Sequence, residues 1–203
     1  GNRIDKNKAI FIFENIINFL AKENKTYSLS IVDKNARYRD YENALLYLLK
    51  THLVNEVRCL DKIQFPFLNQ VLNSKFKLFY LDLGFISYLL NIDQNDLFQK
   101  ENENINNYRG SIGESFVINE IKTKLIRNNN LYYYKFINNG VSYEIDLVLS
   151  DVNNTAIPIE IKTSSKAKAK SLFQLLKLNS EIEYALYFST NLDMKILNYQ
   201  NAK

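Results

Sequence analysis

IPIEIKTSSKAKAK, residues Ile157 to Lys170, begins as an apolar strand interrupted by two charges, Glu160 and Lys162. Glu and Lys are depleted in strands and are rarely buried without partners. Strand side chains alternate between faces, so Ile159 and Ile161 share one face and Glu160 and Lys162 the other. Upstream, YEIDLVL (Tyr143 to Leu149) reads the same way. Ile145, Leu147 and Leu149 fall on one face, and Glu144, Asp146 and Val148 on the other. Between the two stretches, Asp151 to Thr155 has turn composition. A hairpin centred on Asn153 puts Asp146 opposite Glu160 and Glu144 opposite Lys162.

Residues facing each other across such a pair have Cβ atoms roughly 4.5–5.5 Å apart. Two carboxylates that close repel and raise a pKa unless a cation lies between them. A divalent metal is the obvious cation, with Lys162 near enough to hold a water or steady a phosphate charge. The plainer reading is a Glu144–Lys162 salt bridge, with Asp146 and Glu160 solvated on an open sheet face. Glu114, on a helix ahead of both strands, adds a third carboxylate to the pattern.

Around this pair the second half of the chain orders as α-β-β-β-α-β. The spacing predicts a helix over Ser111 to Arg127, with Ile112, Phe116, Ile118, Ile121 and Leu125 on its apolar side. Strands follow at Leu131–Ile137, Ser142–Leu149 and Ala156–Thr163, then a helix over Ala167–Leu178 and a strand at Glu183–Phe188. The first half is helical at the start. Ile10, Phe13, Ile16, Ile17 and Leu20 define a helix from Lys8 to Glu23. Ser28 caps a short second helix through Asp33. A third runs from Asn35 to Thr51, with Tyr38, Tyr41, Ala44, Leu45 and Leu48 inward. Strands at Leu53–Leu60 and Phe76–Leu81 complete the pattern of a winged helix. Lys34, Arg37 and Arg39 sit at the start of the third helix, where a recognition helix meets phosphates. The division is therefore a winged-helix-like domain over residues 1–90, a polar linker over 91–107, and a mixed α/β domain over 108–203.

Composition narrows the chemistry. One Cys and one His in 203 residues exclude an internal disulfide and a Cys/His zinc cluster, and fit a cytoplasmic location. Any metal must be held by carboxylates, which favours Mg²⁺ or Mn²⁺. No apolar run reaches membrane-spanning length. The net charge of +4 lies in the N-terminal part: residues 1–90 carry 13 Lys/Arg against 9 Asp/Glu, and residues 91–203 carry 13 against 13. An anionic partner such as DNA is thus more readily expected of the N-terminal part. His52 reads as a helix-end imidazole that suits the dipole, and Cys59 as core. Tyr132 to Tyr134 read as strand packing, with base stacking as the functional alternative. The chain opens Gly1-Asn2 without a Met, which reads as a piece cut from a longer protein with Gly1 left by a tag.

Glu on a helix, Asp on a strand and E-x-K on the next, in α-β-β-β-α-β order, resembles the PD-(D/E)XK restriction-endonuclease-like superfamily. More narrowly, RGSIGESFVINEI, YEIDLVL and IPIEIK, preceded by KLFYLDLGFISYLL, look like the C-terminal domain of a prokaryotic AAA+ ATPase family. The likeness runs from Phe11 to about Thr190. It implies a winged helix followed by a nuclease-like core with a mixed sheet, attached to an N-terminal P-loop ATPase domain. It also implies that Asp146, Glu160 and the carbonyl of Ile161 ligate Mg²⁺ or Mn²⁺. Lys162 would orient or activate water, and Glu114 would assist through metal or water contacts. Lys166 and Lys168 would touch a phosphate backbone. Ile145 stands where the superfamily often has Pro. No G-x-x-x-x-G-K-[ST] occurs in the chain, so no nucleotide is expected on it.

Three functions follow as expectations. The first is a metal-dependent nuclease domain of an ATPase that hydrolyses DNA. The second is a non-catalytic DNA- or protein-binding module with the same fold. The third is a structural or homo-oligomerisation domain.

Overall fold

The computed structural model describes residues 4–28, 37–93, 106–125, 130–163 and 169–189. The protein is a mixed α/β chain with five helices among those residues. They are α1 (Lys6–Leu20), α2 (Tyr38–Lys50), α3 (Gly84–Leu90), α4 (Asn106–Lys124) and α5 (Lys170–Leu178). Its strands are β1 (Val54–Leu60), β2 (Val71–Tyr80), β3 (Leu131–Asn138), β4 (Val141–Ser150), β5 (Ala156–Lys162) and β6 (Leu186–Ser189). The six strands form one mixed sheet in the order β2-β1-β3-β4-β5-β6. By contacts the chain divides into two units. Unit 1 is Gly1–Val57 with Asn73–Asn129, and unit 2 is Arg58–Leu72 with Asn130–Lys203.

In unit 1, α1 starts where Asp5 accepts hydrogen bonds from the N–H groups of Asn7 and Lys8, satisfying two donors the helix leaves open. Its buried face carries Ile12, Ile16 and Leu20, each worth about 1.5–3 kcal/mol when fully enclosed. Phe13 meets Tyr80 and Phe85 edge-to-face, at 5.0 and 4.9 Å between ring centres. Ala44, Leu45 and Leu48 of α2 are buried as their spacing predicts, but Tyr38 is 41 % exposed. Phe116 of α4 was expected inward and is 56 % exposed. Ile112 and Ile118 are buried as their spacing predicts, and the buried face also takes in Ser111 and Ser115. Ser111 donates its hydroxyl to the carbonyl of Leu20 at the end of α1. Small side chains let the two helices approach closely, and a hydrophobicity pattern does not register that. The helix expected from Ser28 lies, from residue 29 on, outside the described residues. α3 was not anticipated as a separate element; Asn91, at φ 53°, closes it in the left-handed conformation.

In unit 2, β3, β4 and β5 form an antiparallel meander, and β5 pairs with β6 in parallel after the α5 crossover. β3 turns into β4 through Asn139-Gly140, both at positive φ, the pair that a two-residue hairpin favours. β4 pairs with β5 from Leu147 opposite Ile159 to Ser150 opposite Ala156, which is the register centred on Asn153. The loop between them is held by Asp151, whose Oδ1 accepts from the N–H groups of Asn153 and Thr155. One face of these strands packs against Leu172, Leu175 and Leu176 of α5, with Tyr132, Ile145 and Val148 beneath them.

The strict alternation expected of YEIDLVL does not hold. Tyr132 faces Val148, yet Tyr134 faces Ile145: two steps on β3 match three on β4. β4 therefore carries a bulge at Asp146–Leu147. The extra residue puts Ile145 and Val148 on the same face, both in the core against α5.

Candidate acid–lysine site

The bulge brings Asp146 to the E-x-K strand. Its Oδ2 accepts the N–H of Ile161 at 2.8 Å. An N–H in the middle of a buried strand must find an acceptor, and here a side chain supplies it. Asp146 is 8 % exposed.

Glu160 is 1 % exposed and has two kinds of partner. Its Oε2 accepts the N–H of Leu172, the third residue of α5, at 2.9 Å. The first N–H groups of a helix have no partner within it, so a carboxylate from the neighbouring strand caps α5 and meets its positive end. Its Oε1 lies 2.9 Å from the ammonium of Lys162, a side chain one-third exposed. The acid is thus enclosed while its lysine reaches water. Tyr187 stands beside Glu160 in the parallel β5–β6 register. Burial raises the pKa of its phenol first, and the charge of Glu160 adds to that, against the opposing effect of Lys162.

Glu144 does not face Lys162. It faces Lys135 on β3 and pairs with it at 2.9 Å. The bulge breaks the β4–β5 register expected beyond Leu147, and the antiparallel β3 ladder offers Glu144 a closer lysine. Glu114 lies in unit 1, where its carboxylate pairs with Lys25 at 2.5 Å, both side chains nearly enclosed. Asp146, Glu160, Ile161 and Lys162 are therefore brought together within unit 2, and Glu114 is engaged within unit 1. The lysine of that pair was missed because nothing in local spacing links residues 25 and 114.

Arg37 precedes α2 and Arg39 lies in its first turn. Both are exposed, and Arg39 is 3.8 Å from Asp40. Lys34, Lys166 and Lys168 lie outside the described residues. His52 follows the end of α2 at φ 55°, a conformation not anticipated for it, and Cys59 is buried.

No group of three or more His, Cys, Asp or Glu among the described residues is arranged to hold a metal ion. Asp146, Glu160 and the carbonyl of Ile161 are still hard oxygen donors of the type Mg²⁺ takes. That ion commonly binds one or two carboxylates and fills its shell with water and substrate oxygens. An ion taking these oxygens would compete with Lys162 for Glu160 and with the Ile161 N–H for Asp146.

Residues 109–200 match the family described as a domain of unknown function, DUF4143, and residues 2–96 match a second domain of unknown function, DUF8612. The first of these is a domain commonly found in the C-terminal regions of AAA ATPases. No curated protein and no solved structure matches the chain. No helix among the described residues is long and apolar enough to cross a membrane.

Proposed function

We propose that unit 2 carries a divalent-metal-dependent phosphodiester hydrolase site, within a C-terminal portion of an AAA ATPase. One observation carries the reading: the carboxylate of Asp146 rests on the N–H of Ile161, between Glu160 and Lys162. The α4-β3-β4-β5-α5-β6 order and the parallel β5–β6 crossover support it by their likeness to a restriction-endonuclease-like core.

Asp146, Glu160 and the carbonyl of Ile161 would hold Mg²⁺ or Mn²⁺. Such an ion acts as a Lewis acid and lowers the pKa of water. Lys162, one-third exposed, would hold the attacking water or a phosphate oxygen once the ion takes its place on Glu160. The helix N–H of Leu172 keeps Glu160 oriented meanwhile. Hydrolysis joins the water oxygen to phosphorus and breaks one ester bond, the leaving oxygen taking a proton from solvent. The reading does not draw on Glu114, which Lys25 already holds.

A second reading has its own observation. Asp146, Glu160 and Glu114 each have an internal donor, as in a fold that keeps its acids for structure and serves the ATPase as a DNA- or protein-binding module. A cleavage assay separates the two. Plasmid, linear and single-stranded DNA and RNA are incubated with Mn²⁺, Mg²⁺ or EDTA, beside Asp146→Asn and Lys162→Ala. Hydrolysis that both substitutions and EDTA abolish is the expected result. Folded protein that cleaves nothing, alone or with its ATPase portion restored, transfers the conclusion to the binding module.

A further inference from the structure

Three aromatic rings form a continuous stack in unit 2. Tyr134 and Phe136 are 5.6 Å apart with planes 12° from parallel, and Phe136 and Tyr143 are 5.2 Å apart at 20°. Core pairs in this protein meet both ways, Phe13 with Phe85 at 88° and Tyr27 with Phe76 at 22°. All three side chains are half-buried, so part of each reaches solvent.

The strand register shows which face they share. Tyr132 faces Val148, which faces Pro158, so alternation puts Tyr134 and Phe136 of β3 on the face of Glu160 and Lys162. Phe136 faces Tyr143, which brings the third ring to that face on β4. Tyr187, opposite Glu160, flanks it on β6. β4 runs antiparallel to β5, so Tyr143, near the start of β4, lies toward the sheet end where β5 closes with Lys162. Tyr134 and Phe136 pack against the α5 core, and Tyr143 continues the stack beyond it.

We propose that the Tyr134–Phe136–Tyr143 stack is a base-stacking platform, so that the acid–lysine site works on single-stranded nucleic acid. This rests on the phosphodiester reading of the site. The occupant follows from chemistry. A flat ring at the end of a stack accepts a nucleobase, and a lysine one-third exposed on the same face can donate to its phosphate. Bases inside a duplex are already stacked on each other and cannot use such a ring. Stacking is sequence-tolerant because every base has a π-face, so no sequence preference is expected from it.

The test is fluorescence anisotropy of labelled oligo(dT), oligo(rU) and an oligo(dT)·oligo(dA) duplex, in Ca²⁺ and in EDTA. Wild type runs beside Tyr143→Leu, which keeps apolar bulk without a ring, and Tyr143→Phe, which keeps the ring. Far-UV circular dichroism checks that each is folded. The expected result is binding of single strands over duplex. Tyr143→Leu should weaken it about tenfold, within the range of one lost base stack, and Tyr143→Phe should stay within about twofold. The tighter of the DNA and RNA strands identifies the source. Equal affinity of the Leu variant and wild type, duplex bound as tightly as single strand, or no binding of single strands overturns the proposal. Ring-dependent binding without cleavage leaves the platform standing and removes the hydrolase. Cleavage without ring dependence does the reverse.

Discussion

Glu114 in unit 1 and Glu160 in unit 2 are both buried carboxylates with a lysine partner, and they differ in what else holds them. The Lys25–Glu114 pair is enclosed on both sides, with side chains 13 % and 9 % exposed. Glu160 is more deeply buried than Glu114, yet its lysine is one-third exposed and an α5 N–H takes the second oxygen. An enclosed pair depends wholly on its cation. A carboxylate capped by a helix N-terminus keeps a donor when the cation leaves. That difference leaves Glu160, and not Glu114, with a donor that does not depend on its lysine.

The largest expected effect is alkaline and global. Tyr27 and Tyr80 in unit 1 have phenols raised far above their usual pKa, chiefly by burial. The unfolded chain ionises its tyrosines near pH 10, whereas the fold favours the neutral phenol. Their contribution is therefore complete below about pH 10 and falls as pH rises beyond it. Phenolate absorbance should grow in two phases, the second coinciding with loss of circular dichroism. A single phase with the dichroism intact would show that these phenols are not enclosed.

Next comes Lys25→Met, which strands Glu114 without its cation and should cost about 3–5 kcal/mol in urea unfolding. Lys162→Met should cost less, about 1–2 kcal/mol, because the α5 N–H still serves Glu160 and the lysine itself was partly solvated. Equal costs would erase the contrast between the two pairs. Glu160→Ala should cost about 2–3 kcal/mol, since α5 loses a cap and a buried N–H its acceptor. Glu160→Gln, which still accepts that bond, should recover more than half of this. A Glu160→Ala protein as stable as wild type would mean the cap is not formed. Smallest is Arg39→Ala, within about 0.5 kcal/mol, as its ion pair is 70 % and 47 % exposed. A larger loss would place Arg39 in a contact beyond Asp40.

The site was legible in part, through the hairpin. The turn residues between Ser150 and Ala156 and the apolar alternation of β5 were enough to set the register about Asn153, because a one-residue slip would expose the strand's buried face. The register brought Asp146 near the E-x-K strand, but its bond to the N–H of Ile161 lies beyond the paired residues, at the bulge. The partner of Glu144 did not follow from the register, because a bulge adds a residue without leaving a pattern in the letters. Phe116 misled for a related reason. Helical spacing marks hydrophobic residues, whereas the approach of α4 to α1 is governed by how small the contacting residues are.

From the amino-acid order alone came the α-β-β-β-α-β sequence of elements and the hairpin between β4 and β5. Both depend on local periodicity or turn chemistry. Only the tertiary structure decided that Glu160 caps α5, that Lys25 neutralises Glu114, and that three aromatic rings align across β3 and β4. The first two join residues that no short-range spacing connects, and the planes of the rings, neighbours across a tight hairpin, are set by packing. A buried carboxylate takes whichever donor the packed chain brings to it, and that choice is made by the fold as a whole.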